Sequence, residues 1–236
     1  SLLALQKAEK MKKQAFADRY PYGIFSCIRT MGHIYKSRGN FDLSAQYYQE
    51  ALDYMLKNMP DQDPSQLYSS LAEYYRNTQK DYATALDYCE KALKSAKTER
   101  NIAQAMIEKC LVLFRQGRID EFNDCYKEAV QMADRCKLSA SVSLLIAHIS
   151  KNILDKQYEQ AHAHADQLSE EGLQQHAYIY ECAKDYPNAI KYLKKYHQQL
   201  DSTNNLLQLS DIAELNTQIG AERLKMENIQ ATSRYR

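Results

Sequence analysis

The stretch from Ile28 to Leu52 constrains the fold most, because it reads as two helices folded against each other. Gly32 lies inside the first helix, where a glycine costs about 1 kcal/mol relative to alanine, so a neighbouring helix is expected to need the space. Gly39 and Asn40 then break the helix, and Asn40 is predicted to cap the next one. One such hairpin cannot bury its own apolar face, so the pattern predicts further hairpins beside it.

The same pattern recurs along the chain. An aromatic residue or isoleucine follows each predicted turn, at Phe41, Tyr82, Ile119, Tyr158 and Tyr186. This recurrence predicts an all-α solenoid of about five helix–turn–helix repeats and about eleven or twelve helices. The predicted units are a partial repeat over 1–20, repeats over 22–59, 64–97, 101–137, 141–169 and 170–199, and a long exit helix over 200–236.

Local signals mark the ends of these helices and one irregular position. Asp81 and Asp185 are predicted caps of the second helices in the second and fifth repeats. The turn of the second repeat is one residue longer than that of the first. Phe122 stands at a position where the other repeats have a small residue, so looser or shifted packing of the helices is expected there.

The residues Ile28, Met31, Gly32 and Tyr35 on the first helix, with an aromatic-and-small pattern on the second, resemble the tetratricopeptide repeat. The resemblance covers about residues 22–198. It implies a right-handed α–α superhelix whose concave face, lined by the first helices, binds a protein or peptide ligand.

The resemblance also predicts which side chains line that face. These candidates are Arg29, His33, Lys36, Glu73, Arg76, Ile107, Leu111, Phe114, Ile146, Ile153, Tyr178 and Glu181. The groove is expected to be basic at one end, through Arg29, Lys36 and Arg76, and apolar in the middle. Such a groove fits an extended or helical peptide with acidic character. The alternative is that Ile107 and its apolar neighbours are packed against adjacent helices.

The tail is similar to a narrower group of proteins. Asp201 and Ser202, followed by Ile212 to Leu215 and a Glu/Lys-rich stretch, resemble the exit helix of sensor modules in Gram-negative, Bacteroidetes-type receptors. Those receptors cross the membrane into a histidine kinase or a transcription regulator. The resemblance implies a ligand-binding sensor module in the periplasmic part of an inner-membrane protein. The alternative is a cytoplasmic interaction scaffold or peptide-sensing regulator, which unpaired cysteines favour because free thiols are commoner in reducing compartments.

The exit helix carries an apolar seam. Its members step by three and four residues, at Ile212, Leu215, Ile219, Met226 and Ile229. This spacing predicts pairing with a second helix, and hence a homodimer through the exit helix. Leu206, Leu207 and Leu209 are expected instead to pack near Leu193 and Tyr196 and to cover the open end of the solenoid.

Several function classes lack support in the sequence. A formal charge of +1 gives no electrostatic reason to expect nucleic acid, and no apolar run of 18 residues predicts membrane insertion. The chain has no Walker loop, GxSxG or HExxH motif, so no catalysis and no cofactor are predicted. His162 and His164 point about 200° apart on a helix, and the other histidines are scattered singly, so the histidines predict no metal site. The six cysteines are widely spaced, which predicts buried thiols rather than a metal site or disulfides.

Overall fold

The computed structural model of the chain describes residues 2–138, 141–169 and 171–234, with the side chains of 212, 214–216 and 218–234 outside the description. The helices are α1 (Leu2–Ala17), α2 (Pro21–Ser37), α3 (Phe41–Asn58), α4 (Ser65–Tyr74), α5 (Tyr82–Ser95), α6 (Glu99–Arg115), α7 (Ile119–Arg135), α8 (Val142–Leu154), α9 (Tyr158–Ala165), α10 (Gly172–Cys182) and α11 (Tyr186–Arg234). Among these residues there is no strand. The predicted all-α class is confirmed.

The helices pair in sequence order. α2 packs on α3, α4 on α5, α6 on α7, α8 on α9 and α10 on α11, while α1 packs on α2. The first helices α4, α6, α8 and α10 also contact one another in succession. This stacking of hairpins gives an α–α solenoid in which the first helices form the inner layer.

Polar caps and glycines set the hairpin turns. The side chains of Asn40, Asp81 and Asp185 each accept a hydrogen bond from the backbone N–H three residues further on, at 3.1, 3.1 and 3.3 Å. The three predicted caps are therefore confirmed. Gly39 and Gly117 follow α2 and α6 with a φ of +72°, which a residue with a Cβ rarely adopts.

The longer turn of the second repeat is absorbed by a π-helical segment. α4 continues as a π-helix over Tyr75–Gln79, and Lys80 then adopts a φ of +56°. The N–H of Asp81 closes the segment on the carbonyl of Tyr75 at 3.0 Å. A π-bulge accommodates one additional residue without breaking the helix, so the following helix keeps its place in the stack.

The glycine inside α2 is needed for close packing of the first hairpin. A Cβ at Gly32 would lie 2.7 Å from the Tyr48 ring on α3. The prediction that a neighbouring helix needs this space is confirmed.

The packing around Phe122 is tight, so the expected looser packing is wrong. Phe122 is 0% exposed and lies 5.6 Å from the Tyr126 ring and 5.5 Å from the Phe114 ring, between centroids. The ring belongs to the core cluster that α6, α7 and the start of α8 share, so neighbouring side chains cover it completely. Offset aromatic contacts of this kind add to the free energy of burial.

The second helix of the fifth repeat and the exit helix are one continuous helix, α11. The exit helix that was predicted over 200–236 thus starts at Tyr186, and the backbone has no break at 199–200. The expectation that Leu206, Leu207 and Leu209 pack near Leu193 and Tyr196 is wrong, because all five residues lie on one helix, which cannot fold back onto its own start. Leu206 and Leu209 are 64% and 63% exposed. The seam residues predicted for dimerisation (Ile212, Leu215, Ile219, Met226 and Ile229) lie outside the described side chains.

Helix α11 also returns to the start of the chain. The Asp211 carboxylate accepts two hydrogen bonds from the Arg38 guanidinium at the end of α2, and α11 contacts α1. The hydrogen bond from Arg38 lowers the pKa of Asp211. The last helix therefore bridges the fifth repeat and the first helices of the solenoid.

Candidate functional site

A concave pocket of about 270 Å³ opens on the inner layer. It is formed by α2, α4, α6 and the start of α8, so four successive first helices contribute to it. Four predicted groove residues, Arg29, His33, Glu73 and Ile107, meet there. Sequence reasoning omitted some neighbours that also line it: Tyr48, Leu67, Ser70, Glu108 and Ser141.

Arg29 lines this pocket and has one buried hydrogen-bond donor without a partner among the described residues. Its guanidinium lies 5.3 Å from the centroid of the Phe25 ring on the same helix. Its Nε is buried and, among the described residues, has no hydrogen-bond partner. A buried donor without a partner costs free energy in the empty site, so an acceptor on a ligand would recover that cost.

Lys36 was predicted to belong to a basic end of the groove, but it forms an ion pair between α2 and α4. Its Nζ lies 2.5 Å from Oε2 of Glu73 on α4. Burial opposes the ammonium charge, but the Glu73 carboxylate outweighs burial and raises the pKa of Lys36. The two candidates therefore link the first and second repeats and neutralise each other.

Tyr48, the residue that packs on Gly32, also holds His33 beside Arg29. A hydrogen bond of 2.9 Å joins the hydroxyl of Tyr48 to Nδ1 of His33. Burial against Tyr48, together with the charges of Arg29 and Lys36, lowers the pKa of His33. The imidazole is thus neutral at pH 7 and serves as a hydrogen-bonding wall of the pocket.

The prediction that Arg76 forms part of an exposed basic end is wrong. Its Nη2 lies 2.9 Å from Oε2 of Glu108, and the two side chains are 4% and 7% exposed. The Ser143 hydroxyl donates to the other Glu108 oxygen at 2.7 Å. Arg76 is covered because the π-helical segment returns it onto α6, so it binds the third repeat and not a ligand.

The predicted apolar middle of the groove is mostly interior. Ile107, Leu111 and Ile153 are 1%, 2% and 9% exposed and belong to the core clusters of the third to fifth repeats. Phe114 and Ile146 are half-buried against the same clusters. The alternative of packing between adjacent helices therefore holds, because α6 and α8 approach closely enough to cover these positions.

The last two predicted groove residues lie at the other end of the solenoid. Tyr178 is half-buried on α10, and the Arg115 guanidinium lies 4.8 Å from the centroid of its ring. Burial raises the pKa of Tyr178 to about 12. Glu181, one turn further along α10, is exposed. Neither residue lines the pocket.

His148 and His176, which were predicted to stand singly, each pair with a histidine of α9. His162 and His176 share a hydrogen bond of 2.7 Å between their Nδ1 atoms, and Nε2 of His176 lies 3.0 Å from Asp166. The rings of His148 and His164 lie 5.0 Å apart between centroids. The opposed directions of His162 and His164 on α9 were the available signal, since each reaches a different neighbouring helix. In the described part of the chain, no group of three or more His, Cys, Asp or Glu is arranged to hold a metal ion.

These pairs predict a loss of stability in mild acid. Burial and the partner histidine lower the pKa of His148 and of His162 below 6.5. The unfolded chain therefore takes up these protons first, and the free energy of unfolding falls as the pH drops below about 6.5. Urea unfolding at pH 7.5 and 5.5 is expected to show a smaller difference in the His148→Asn/His162→Asn variant than in the wild type. His197→Asn, at an exposed position, is the matched control, and equal pH dependence in all three proteins would contradict the assignment.

The first hairpin matches a known family. A family model described as tetratricopeptide repeat matches residues 30–54, which include Gly32, the turn at Gly39 and the start of α3. Residues 30–54 are thus similar to one tetratricopeptide repeat. Such repeats indicate a protein-binding module, and the fold that they build is typically non-catalytic. None of the curated proteins compared is significantly similar to the chain.

Solved structures share the architecture. The crystal structure of BtubC (BKLC) from P. vanneervenii aligns with a TM-score of 0.53 and 16% identity, over 85% of this chain and 91% of that one. PilW, described as a widely conserved type IV pilus biogenesis factor, aligns with a TM-score of 0.49 and 15% identity, over 88% and 96%. The likeness to BtubC shows the fold alone. Among the described residues, no helix is both long and apolar enough to cross a membrane.

Proposed function

We propose that the chain is a binding module that holds a peptide segment of a partner protein in the pocket between α2, α4 and α6. We further propose that this module is the sensor of a membrane signalling receptor. The observation that carries the peptide proposal is the buried, unpartnered Nε of Arg29 inside a concave pocket of about 270 Å³. Sites for whole small molecules typically measure about 300–1,000 Å³. This pocket is below that range, which suits one or two side chains of a longer segment.

The charges of the pocket favour an acidic group on the ligand. Glu73 is neutralised by Lys36, and Glu108 by Arg76. Arg29 is then the cation without a carboxylate partner among the described residues that line the pocket. A carboxylate bound there would gain a charge-assisted hydrogen bond in a partly desolvated site.

Reversing this charge tests the peptide proposal. We expect Arg29→Glu to weaken binding of acidic peptides about tenfold or more, because a charged hydrogen bond is replaced by repulsion and each 1.4 kcal/mol is a factor of ten. The measurement is fluorescence anisotropy with labelled peptides that carry Asp or Glu, beside sequence-matched Asn and Gln peptides. Arg135→Glu changes the same charge at an exposed position on α7 and should leave the affinity unchanged. Equal affinities of the acidic and amide peptides would overturn the proposal.

The receptor proposal rests on the exit helix and on its resemblance to receptor sensor modules. α11 extends from the last repeat as a single helix to Arg234, which would carry a change in the solenoid outward. In the proposed receptor, the apolar seam from Ile212 to Ile229 pairs with a second copy. The complete gene provides the test. About 20 consecutive apolar residues encoded soon after this chain would support the proposal, and a stop codon without such a run would contradict it.

The second candidate function is a cytoplasmic interaction scaffold. It is favoured by the six cysteines, all of which are free thiols in the structure. Free thiols persist in reducing compartments and are oxidised in most extracytoplasmic ones. Fractionation of cells that express the full-length protein separates the two candidates, since the scaffold would be recovered without the membrane.

A further inference from the structure

Two cysteines of the third repeat face each other across the hairpin of α6 and α7. Cys110 lies on α6 and is 0% exposed, whereas Cys125 on α7 is partly exposed. The Cys110 thiol donates to Sγ of Cys125 at an Sγ–Sγ distance of 2.8 Å. Cys125 in turn donates to the carbonyl of Met106 at 3.5 Å. The wide spacing in sequence concealed this pair, because helical hairpins bring together residues that lie about four turns apart.

We propose that Cys110 and Cys125 form a reversible dithiol–disulfide pair that links α6 to α7. A disulfide has an S–S bond of about 2.05 Å, so the two sulfur atoms need to approach by only about 0.8 Å. The cysteines belong to one closely packed hairpin, so oxidation requires no movement between repeats. The proposal is independent of the peptide ligand and of the receptor.

The surroundings give the two thiols different roles. The hydrogen bond from Cys110, with the nearby charge of Lys109, lowers the pKa of Cys125. The hydrogen bond to Cys125 and burial raise the pKa of Cys110. The thiolate is the nucleophile in thiol–disulfide exchange, so the accessible Cys125 attacks the oxidant first. The buried Cys110 then attacks the mixed disulfide formed at Cys125.

The oxidant is a small-molecule disulfide such as oxidised glutathione. The Cys125 thiolate attacks one sulfur of this disulfide, a mixed disulfide forms, and the first glutathione leaves as its thiolate. That thiolate accepts the proton of Cys110, whose sulfur then attacks Sγ of Cys125 and releases the second glutathione. The second glutathione also leaves as its thiolate and takes up the proton that Cys125 released on ionising. The protein loses two protons and two electrons, and one oxidised glutathione becomes two reduced molecules.

The linkage would act on the helix that contributes to the concave pocket. Gln104, Ile107 and Glu108 of α6 line that pocket, and Cys110 lies within one turn of Glu108. A disulfide would fix the position of α6 relative to α7. It closes a loop between residues 15 positions apart, so it also restricts the unfolded chain.

Mass spectrometry of the purified chain tests the pair. After full reduction, the protein is incubated with oxidised glutathione, remaining thiols are alkylated, and the intact mass and tryptic peptides are measured. We expect alkylated thiols to fall from six to four, with Cys110 and Cys125 joined in one peptide pair. The melting temperature of the oxidised form should rise by up to about 10 °C.

Three serine variants assign the roles. Cys110→Ser should retain a glutathione adduct at Cys125, Cys125→Ser should form no adduct at position 110, and Cys136→Ser should oxidise as the wild type does. Circular dichroism checks that each variant is folded. A wild-type protein that keeps six alkylated thiols, that stops at the Cys125 adduct, or that links other cysteines would overturn the proposal.

Discussion

Arg76→Met is expected to lower the free energy of unfolding by about 3–5 kcal/mol. Arg76 and Glu108 form an ion pair whose side chains are almost fully buried, and the loss of Arg76 leaves the Glu108 carboxylate without its counter-ion. Ser143 can satisfy only one of the two carboxylate oxygens. Urea unfolding followed by circular dichroism measures the effect.

Two further variants separate the buried pair from ordinary side-chain loss. Arg76→Met combined with Glu108→Leu removes both charges and is expected to return stability close to, or above, that of the wild type. Lys91→Met breaks the exposed Lys91–Asp87 pair and should change the free energy of unfolding by less than about 1 kcal/mol. A single Arg76→Met variant as stable as Lys91→Met would show that the buried pair contributes nothing.

Phe122→Ala is expected to cost about 3–5 kcal/mol of unfolding free energy. The ring is 0% exposed and packs against Phe114 and Tyr126, so its removal leaves a cavity within the third repeat. Thermal and urea unfolding both report the loss. Phe41→Ala removes a ring that is 48% exposed and provides the control, with a much smaller expected change. A cost below about 1 kcal/mol at position 122 would mean that α6 and α7 close over the gap.

The features that sequence predicted well are those set by neighbouring residues. Helical periodicity, the break at Gly39 and the caps at Asn40, Asp81 and Asp185 depend on interactions within a few positions, and each is present. Gly32 was equally informative, because its cost inside a helix has few explanations other than close contact with a neighbour. These signals were sufficient to predict an all-helical stack of hairpins.

The features that sequence missed depend on depth within the stack. Helical position placed Arg29, Arg76 and Leu111 on the same inner face, but it gave no measure of how far each lies below the surface. The structure leaves Arg29 in the pocket and covers the other two. Contacts between different helices were also missed, namely the ion pair of Arg76, the histidine pairs and the facing thiols. Periodicity along one helix does not predict which residues of another helix it will contact.

In a solenoid without a bridge between its ends, the two ends can move apart when the superhelix is stretched. Helix α11 runs as a chord from the fifth repeat to the first helices, and the distance along it from Tyr186 to Asp211 is about 38 Å at 1.5 Å per residue. A helix does not lengthen appreciably, so widening the arc must separate α11 from the first helices, and Asp211 from Arg38 with it. A partly exposed ion pair contributes about 1 kcal/mol. Helix α11 therefore limits how far the two ends of the solenoid can separate, and opening it costs the Asp211–Arg38 pair together with the contacts between α11 and α1.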